Sequence, residues 1–453
     1  MGERPVKIIN TRVVDPSRGV DATGAILMID GKIIAAGPDA IAIGEPDDCL
    51  VIDANGAVSA PGLVDMQVRA GEPGAEHLET LASASQAAAA GGVTSMGLFP
   101  DTEPVIDDAA LVDFIMRRAR DTAIVRVLPI AALTKGLEGE EMAEIGLLQE
   151  AGAVAFSNGR HPISNAAVFR HSLTYARDFD ALVIHHPEDP DLRGNGVMNE
   201  GECATRYGLP GIPNEAELVM LDRDIRLCKL TGGRYHVGLI SCAQSVDAVR
   251  EAKQQGLNIT ASVSANHLCL NELDIGLWRS FLKLSPPLRT EQDRLALVDG
   301  LVDGTIDSIV SDHDPQNVER KRYPFEDAHD GAVGLETLLA STLGLVHQGH
   351  ITLSMLMEKL STAPARILGL NAGSLKPGVP ADLVLFDPDE RWVLDRNALL
   401  SRSKNSPFED VEFRGRVKAC FVGGRQVAEH RDDGPPKIAE RSRDSAPGSK
   451  VLA

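Results

Sequence analysis

From about Pro61 to about residue 370 the chain alternates between short apolar runs and longer amphipathic or alanine-rich stretches. This alternation constrains the fold more than any other feature. The strand-like runs are Val93–Phe99, Val125–Ile130, Ala153–Ser157, Ala181–His185, Tyr235–Ile240, Asn258–Val263 and Ser308–Ser311. Between them lie helical stretches such as Glu79–Ala90 and Asn214–Lys229. Strands that alternate with helices build a parallel sheet, because each crossover helix carries the chain back to the same end. Seven or eight such units over about 310 residues predict a closed (β/α)8 barrel rather than an open doubly wound sheet.

The two ends of the chain read differently. Val6–Ile9, Ala25–Ile29, Lys32–Ala36 and Cys49–Asp53 are strand-like, with Asp30-Gly31 and Asn55-Gly56 as turn signals. After the helical stretch Leu353–Leu368, strands return at Ala381–Phe386, Val411–Arg414 and Val417–Val422. Gly423-Gly424 then turns the chain into Arg425–Val427. The expected organisation is a barrel over 61–370 and one small β-sandwich domain built from 1–60 and 371–430. Residues 431–453, polar and rich in Pro, Ser and Gly, are expected to be a disordered tail.

Charge and cysteine usage narrow the function classes. Asp plus Glu number 65 against 45 Lys plus Arg, a net charge of −20. Nucleic-acid and anionic-lipid partners both require concentrated positive surface, so neither is expected. No run reaches the roughly 18 apolar residues of a membrane span. The N-terminus lacks an apolar signal core. Cys49, Cys203, Cys228, Cys242, Cys269 and Cys420 are scattered singly, without the short spacing of a zinc ribbon or redox motif. Reduced, largely buried thiols in a cytoplasmic protein are the expectation.

The chemistry should sit where Ala60-Pro61-Gly62-Leu63-Val64 enters the first barrel strand and continues as Asp65-Met66-Gln67-Val68-Arg69-Ala70-Gly71-Glu72-Pro73-Gly74. This run resembles that of the dihydroorotase family of amidohydrolases, whose members carry a His-Val-His-Leu-Arg-Glu-Pro-Gly type of segment. The resemblance extends over nearly the whole chain. It takes in Ala89–Thr94, Phe99–Val105, Gly196–Cys203, Pro213–Glu217, Ser285–Arg289, Ser311–Gln316 and Gly378–Leu383.

Such a resemblance implies one or two zinc ions at the C-terminal mouth of the barrel. It also implies a metal-activated water that attacks a cyclic amide, and a last-strand carboxylate that relays the proton. Carried over position by position, most of that apparatus is missing. The paired histidines, which alternate on the strand so that both face one metal, are replaced by Gln67 and Arg69. Asn158 holds the bridging-carboxylate position, and a neutral amide bridges two dications poorly. Leu239 stands where a histidine should precede Ile240-Ser241. His186 and Asp312 are the surviving ligand positions, with Asp312 the catalytic residue if the protein is active.

His185, His236 and His313 are nearby, but as strand neighbours of lost positions they should point to the opposite face. Arg69 cannot be deprotonated near neutral pH and could instead pair with Asp312 or Glu188; alternatively it points to solvent. The substrate-binding positions have changed in parallel: Gly71 replaces an arginine, Asp101 and Ser285 replace asparagines, and Gln316 replaces a histidine. Asn266 and His267 remain, as a vestigial pocket or as structural hydrogen-bonding groups.

The leading expectation is therefore a dihydroorotase-like protein of pyrimidine biosynthesis that is catalytically inactive and needs no metal cofactor. By resemblance to inactive members of the family, it would act as a partner of aspartate carbamoyltransferase and form a homodimer. The alternative is a working cyclic amidohydrolase with one zinc held by His186, Asp312 and a neighbouring histidine. A third reading is a small-molecule sensor using the vestigial pocket.

Overall fold

The computed structural model describes residues 4–430 and 435–439. The chain opens with β1 (Val6–Asp15), β2 (Val20–Ile29), β3 (Lys32–Gly37), β4 (Leu50–Asp53) and β5 (Val58–Pro61). It then enters the barrel through β6 (Leu63–Val68), β7 (Val93–Leu98), β8 (Arg126–Ala132), β9 (Ala155–Ser157) and β10 (Leu182–His185). A small ribbon of β11 (Met198–Asn199) and β12 (Gly211–Ile212) intervenes. The barrel resumes with β13 (Arg234–Val237), β14 (Ile259–Ser264) and β15 (Ser308–Val310).

The eight barrel strands pair in chain order from β6 to β15, every neighbour parallel. Just beyond β15, His313 bridges in parallel to Val68, and the Arg69 N–H donates to His313 O at 2.9 Å. That contact joins the first strand to the end of the last. The expected (β/α)8 barrel is thus the observed architecture.

Branched and small apolar side chains fill the interior. Val64, Met66, Ile130, Ala155, Ile184, Leu239 and Val310 form one buried cluster there. The outer helices follow from local signals. Leu81–Ala90 starts at Thr80, whose hydroxyl accepts the Ser83 N–H in a capping box. Its buried Ala84, Ala87 and Ala88 carry no bulk, so the helix lies close against the sheet.

The second layer of structure uses both chain ends. It adds β16 (Leu383–Val393), β17 (Glu412–Val422), β18 (Arg425–Glu429) and β19 (Lys437–Ile438). The strand order is β19-β18-β17-β16-β5-β1-β2-β3, with β4 alongside β1. Instead of two separate sheets this is one continuous sheet folded over its own core of Ile8, Ile26, Ile33, Leu383 and Phe421. The fold-back is fixed where the Ile33 N–H donates to Val379 O at 3.0 Å and the Ala381 N–H to Gly31 O at 2.8 Å.

Two strands predicted at Val411–Arg414 and Val417–Val422 are a single β17. The break in pattern at Gly415-Arg416 faces a register shift between the Asp387–Arg416 and Arg391–Arg414 pairs. Of the stretch expected as a tail, 435–439 alone falls within the described residues. There β19 pairs antiparallel with β18. All six cysteines are free thiols. Among the described residues no helix is long and apolar enough to cross a membrane.

The connection between β16 and β17 reaches back over the C-terminal face of the barrel. The Arg402 N–H donates to Glu79 at 3.1 Å, and the Leu400 and Ser401 N–H groups donate to Glu336 at 2.8 and 3.1 Å. Asn405 accepts the Gln316 N–H at 3.1 Å and donates to Gly331 O at 3.1 Å.

Burial pushes the Glu336 carboxyl up to about 7 from an ordinary 4.5, against the backbone N–H groups that stabilise its charge. A carboxyl raised in the folded state holds a proton that the unfolded chain has already released. Its contribution to stability is therefore full below pH 4.5 and is lost as pH rises through about 7. Glu336→Gln is expected to remove this loss, a relative gain of about 2–4 kcal/mol between pH 4 and pH 8. Urea unfolding of both proteins across that range measures it; parallel pH profiles would refute it.

Candidate functional site

Alternation along β10 sets the first group. Ile184 faces the barrel interior, so His185 points out and His186 points in. His185 lies against the outer helices, with Nδ1 at 2.6 Å from Asp224 and Nε2 accepting the Ile163 N–H at 3.0 Å. His186 is buried at the mouth, with Nε2 3.7 Å from Glu188. Burial works against the Glu188 charge, but His186 and Arg193 outweigh it and hold this carboxyl down at about 2.

His236 overturns the expectation that it faces away. It pairs in register with Ile184, so it shares the inward face, where its two nitrogens lie 2.7 Å from the Thr260 and Ser262 hydroxyls. Burial pushes its pKa down to about 3. Both nitrogens are spent on these hydroxyls. His313 accepts the Gly334 N–H at Nδ1 and aims Nε2 at Glu79, 3.6 Å away.

The first strand brings Gln67 and Arg69 to the mouth. Gln67 is buried and donates to Gly238 O. The Arg69 guanidinium lies 5.0 Å from the Phe99 ring centroid. Its Nε donates to Asp101 at 2.6 Å, and one Nη is 3.5 Å from Asp312. Of the two partners foreseen for Arg69, Asp312 is engaged. Glu188 instead takes Arg193, at 2.7 Å. Arg69 does not point to solvent.

A second guanidinium, from Arg160 on the loop after β9, also reaches Asp312. It sits 3.2 Å from both carboxylate oxygens of Asp312 and 2.9 Å from Asp314. Burial opposes the Arg160 charge, yet Asp312 and Asp314 outweigh it and raise its pKa. Asp312 itself is 1% exposed. The sequence reading did not single out Arg160. The available signal was charge balance, since Asp101 and Asp314 add carboxylates to the mouth that a lone Arg69 could not match.

Other predicted positions do not converge on this centre. Asn158 turns aside to Thr134, accepting its N–H at 3.0 Å and donating to its hydroxyl at 2.6 Å. Gly71 adopts φ +68°, and a Cβ there would lie 2.7 Å from Ala75 O. An arginine in its place would be both strained and in collision with backbone. Gly159, at φ +61°, leaves room for the Asp101 carboxylate, which a Cβ would approach to 2.8 Å.

His267 bonds Ser264 and the Pro286 and Pro287 carbonyls, and Asn266 beside it is 1% exposed. Ser285 accepts from Arg193 at 3.2 Å. Gln316 donates to Asp314 and accepts from Arg320.

The space enclosed by Gln67, Arg69, Phe99, Arg160, His186, Leu239 and Asp312 is about 10 Å³. That is room for about one water molecule. Among the described residues three polar atoms there make no hydrogen bond: the Arg69 Nη whose contact with Asp312 is the 3.5 Å ion pair, Nε of Arg160, and the His186 Nε2 that lies 3.7 Å from Glu188. Two of the three are cationic N–H donors, which cannot ligate a cation. Among the described residues no group of three or more His, Cys, Asp or Glu converges as a metal cage. With the Asp312 carboxylate already shared by two guanidiniums, a dication would face repulsion on the order of several kcal/mol. These residues do not fit a zinc centre.

Comparison with known proteins places this barrel. A family profile described as "Dihydro-orotase-like" matches residues 56–245. The chain is 43% identical over 420 residues to the dihydroorotase of Anaeromyxobacter dehalogenans, covering 92% of this chain and 96% of that protein. The chain belongs to the dihydroorotase family. The dihydroorotase of Syntrophus aciditrophicus is 41% identical, over 92% of this chain and 97% of its own length.

Among solved structures, this dihydroorotase-family chain superimposes on the L-hydantoinase (dihydropyrimidinase) of Arthrobacter aurescens with a TM-score of 0.84 at 25% identity. The match covers 94% of this chain and 96% of that one. The dihydropyrimidinase of Brevibacillus agri gives a TM-score of 0.80 at 24% identity, over 93% and 95% of the two chains. Because each match covers more than nine-tenths of this chain, the likeness in fold takes in both the barrel and the β-domain that flanks it.

Proposed function

We propose that this member of the dihydroorotase family does not hydrolyse a cyclic amide and acts as a structural or regulatory partner in a larger assembly. One observation carries the reading: Arg69 and Arg160 together occupy the Asp312 carboxylate, at 3.5 and 3.2 Å, where a catalytic proton relay would have to face a metal-bound water. With Arg160 on both of its oxygens and Arg69 beside one of them, this carboxylate faces guanidinium N–H groups where such a water would have to sit. Aspartate carbamoyltransferase is the partner proposed, on the family resemblance, with this chain as a cytoplasmic homodimer.

A second reading is favoured by the relatives. Proteins named dihydroorotase match more than nine-tenths of the chain at 40–43% identity, which supports an active enzyme with one zinc on His186 and Asp312. Metal analysis and turnover separate the two. Untagged protein from zinc-supplemented cells is expected to carry far less than one zinc per chain and to leave dihydroorotate unchanged. Turnover that depends on zinc and is abolished in Asp312→Ala would establish the second reading. The partner proposal is tested by size exclusion of the mixed proteins, where separate elution counts against it.

A further inference from the structure

The most exposed large apolar side chain among the described residues is Leu277, at 84%. It stands on the loop after β14, with Leu273 at 60% and Trp278 at 50% on the same loop. The Trp278 ring meets Tyr207, the last residue of helix Glu202–Tyr207, edge-on with centroids 6.1 Å apart. The loop after β15 lies alongside. Lys321 Nζ donates to Ser280 O at 2.9 Å, and Tyr323, two residues on, is 57% exposed. Single exposed apolar residues need no explanation. A cluster of them rimmed by charge marks an interaction surface.

This surface has a fixed base. Ile275, Leu282 and Phe325 lie beneath it in one buried cluster. Lys321 Nζ also donates to the Lys283 and His329 carbonyls, which ties the two loops together. Trp278 sits between these anchors at φ +56°, a left-handed conformation that bulky side chains rarely take. A loop held in this way presents its indole without the ordering cost that a mobile loop would incur on binding.

The rim carries unpaired charge of both signs. Arg206, Arg279 and Arg322 are exposed, and so are Glu200, Glu202 and Glu319. Among the described residues none of these six side chains makes an ion pair or a hydrogen bond. A two-fold contact sets a surface against its own copy, so each residue meets the same neighbours in both directions. A rim of one sign would repel its copy, whereas a rim of both signs can pair with it.

We infer that this patch is the face on which a second copy of the chain docks. Leu277 and Trp278 form its centre, and the arginines of each copy lie against the glutamates of the other. At these exposures Leu273, Leu277, Trp278 and Tyr323 supply roughly 400 Å² of surface. That is about half of the ~800 Å² per partner that a stable interface buries, and the charged rim supplies a similar share. The inference rests on the homodimer proposed above and gives it a surface.

Analytical ultracentrifugation of the full-length protein at micromolar concentration is expected to show a dimer. Leu277→Ser with Trp278→Ser is expected to raise the dimer dissociation constant at least about thirtyfold. Arg206→Glu with Arg279→Glu should raise it about fivefold, the scale of exposed ion pairs. Phe114→Ser, equally exposed but on helix Ala109–Thr122, should leave it unchanged.

Circular dichroism checks that the variants fold. If the double serine variant does not, Trp278 itself decides. The chain has 2 tryptophans, so a Trp392→Phe background leaves Trp278 as the reporter. Its emission is expected to move to shorter wavelength as concentration rises through the dissociation constant.

A dimer that the double serine variant leaves intact overturns the inference but keeps the homodimer. A parent protein that stays monomeric at every concentration overturns both. If the chain is monomeric alone and joins the transferase only while Leu277 and Trp278 are intact, the patch belongs to that partner and self-association is likewise overturned.

Discussion

Arg160→Met is expected to destabilise the fold by about 3–5 kcal/mol, the cost of leaving a buried carboxylate without its cation. Asp312 is 1% exposed and Arg160 contacts both of its oxygens. Arg69 remains 3.5 Å away but is already committed to Asp101 at 2.6 Å. Asp314, 2.9 Å from Arg160, loses its ion-pair partner as well and keeps the Gln316 amide at 2.9 Å.

The same reasoning predicts that a matched change will cost less. In Arg160→Met combined with Asp312→Leu the charge and its partner leave together, and apolar replacements of buried ion pairs are often close to neutral. Urea unfolding of the two variants beside the parent gives both numbers. A single-variant loss below about 1 kcal/mol, the range of an exposed pair, would mean that the network is solvated and does not close the mouth.

The second large effect is a gain. Gln67→His with Arg69→His places two imidazoles on the inward face of the first strand, beside His186 and Asp312. Asp101→Asn removes the charge that Arg69 had balanced. Three histidines and a carboxylate satisfy the coordination that zinc prefers. The triple variant is expected to take up about one zinc per chain and to gain about 3–4 kcal/mol when free zinc exceeds the dissociation constant by a few hundredfold. Thermal unfolding with and without zinc, alongside metal quantitation, reads both effects. No zinc uptake, even after Arg160→Met is added to free Asp312, would show that the mouth has lost the geometry as well as the ligands.

These two predictions share a physical cause. A barrel mouth that once-alternating side chains point into cannot stay empty. Where ligands are absent, the converging positions must be filled by groups that satisfy one another. Here guanidiniums and carboxylates from four loops do so and leave room for about one water.

How much of this was legible beforehand depended on the range of the interactions involved. The β–α alternation, the β-strands at both ends and the places of Gln67, Arg69, Gly71 and Leu239 in their motifs are carried by local pattern and motif register, so residue order alone determines them. The outward turn of His185 follows from strand alternation in the same way. His236 was misjudged because its facing depends on pairing in register with Ile184 in the neighbouring strand, a relation between strands rather than within one. Asn158 was assigned to the centre by its motif, but a turn after β9 directs its amide to Thr134.

The closing network lay furthest out of reach. Arg69 meets Asp101 across 32 residues and Arg160 meets Asp312 across 152. No local rule links such pairs. Arg69 and Asp101 meet because β6 pairs with β7, Val68 opposite Leu98, and Asp312 reaches Arg69 when Val68 and His313 join the first strand to the end of the last. The sequence by itself determined that this is a dihydroorotase-family barrel with Gln67 and Arg69 at the mouth end of its first strand. The tertiary structure alone decided which charges fill their place, because electrostatic partners are selected by distance in space and barrel closure sets that distance.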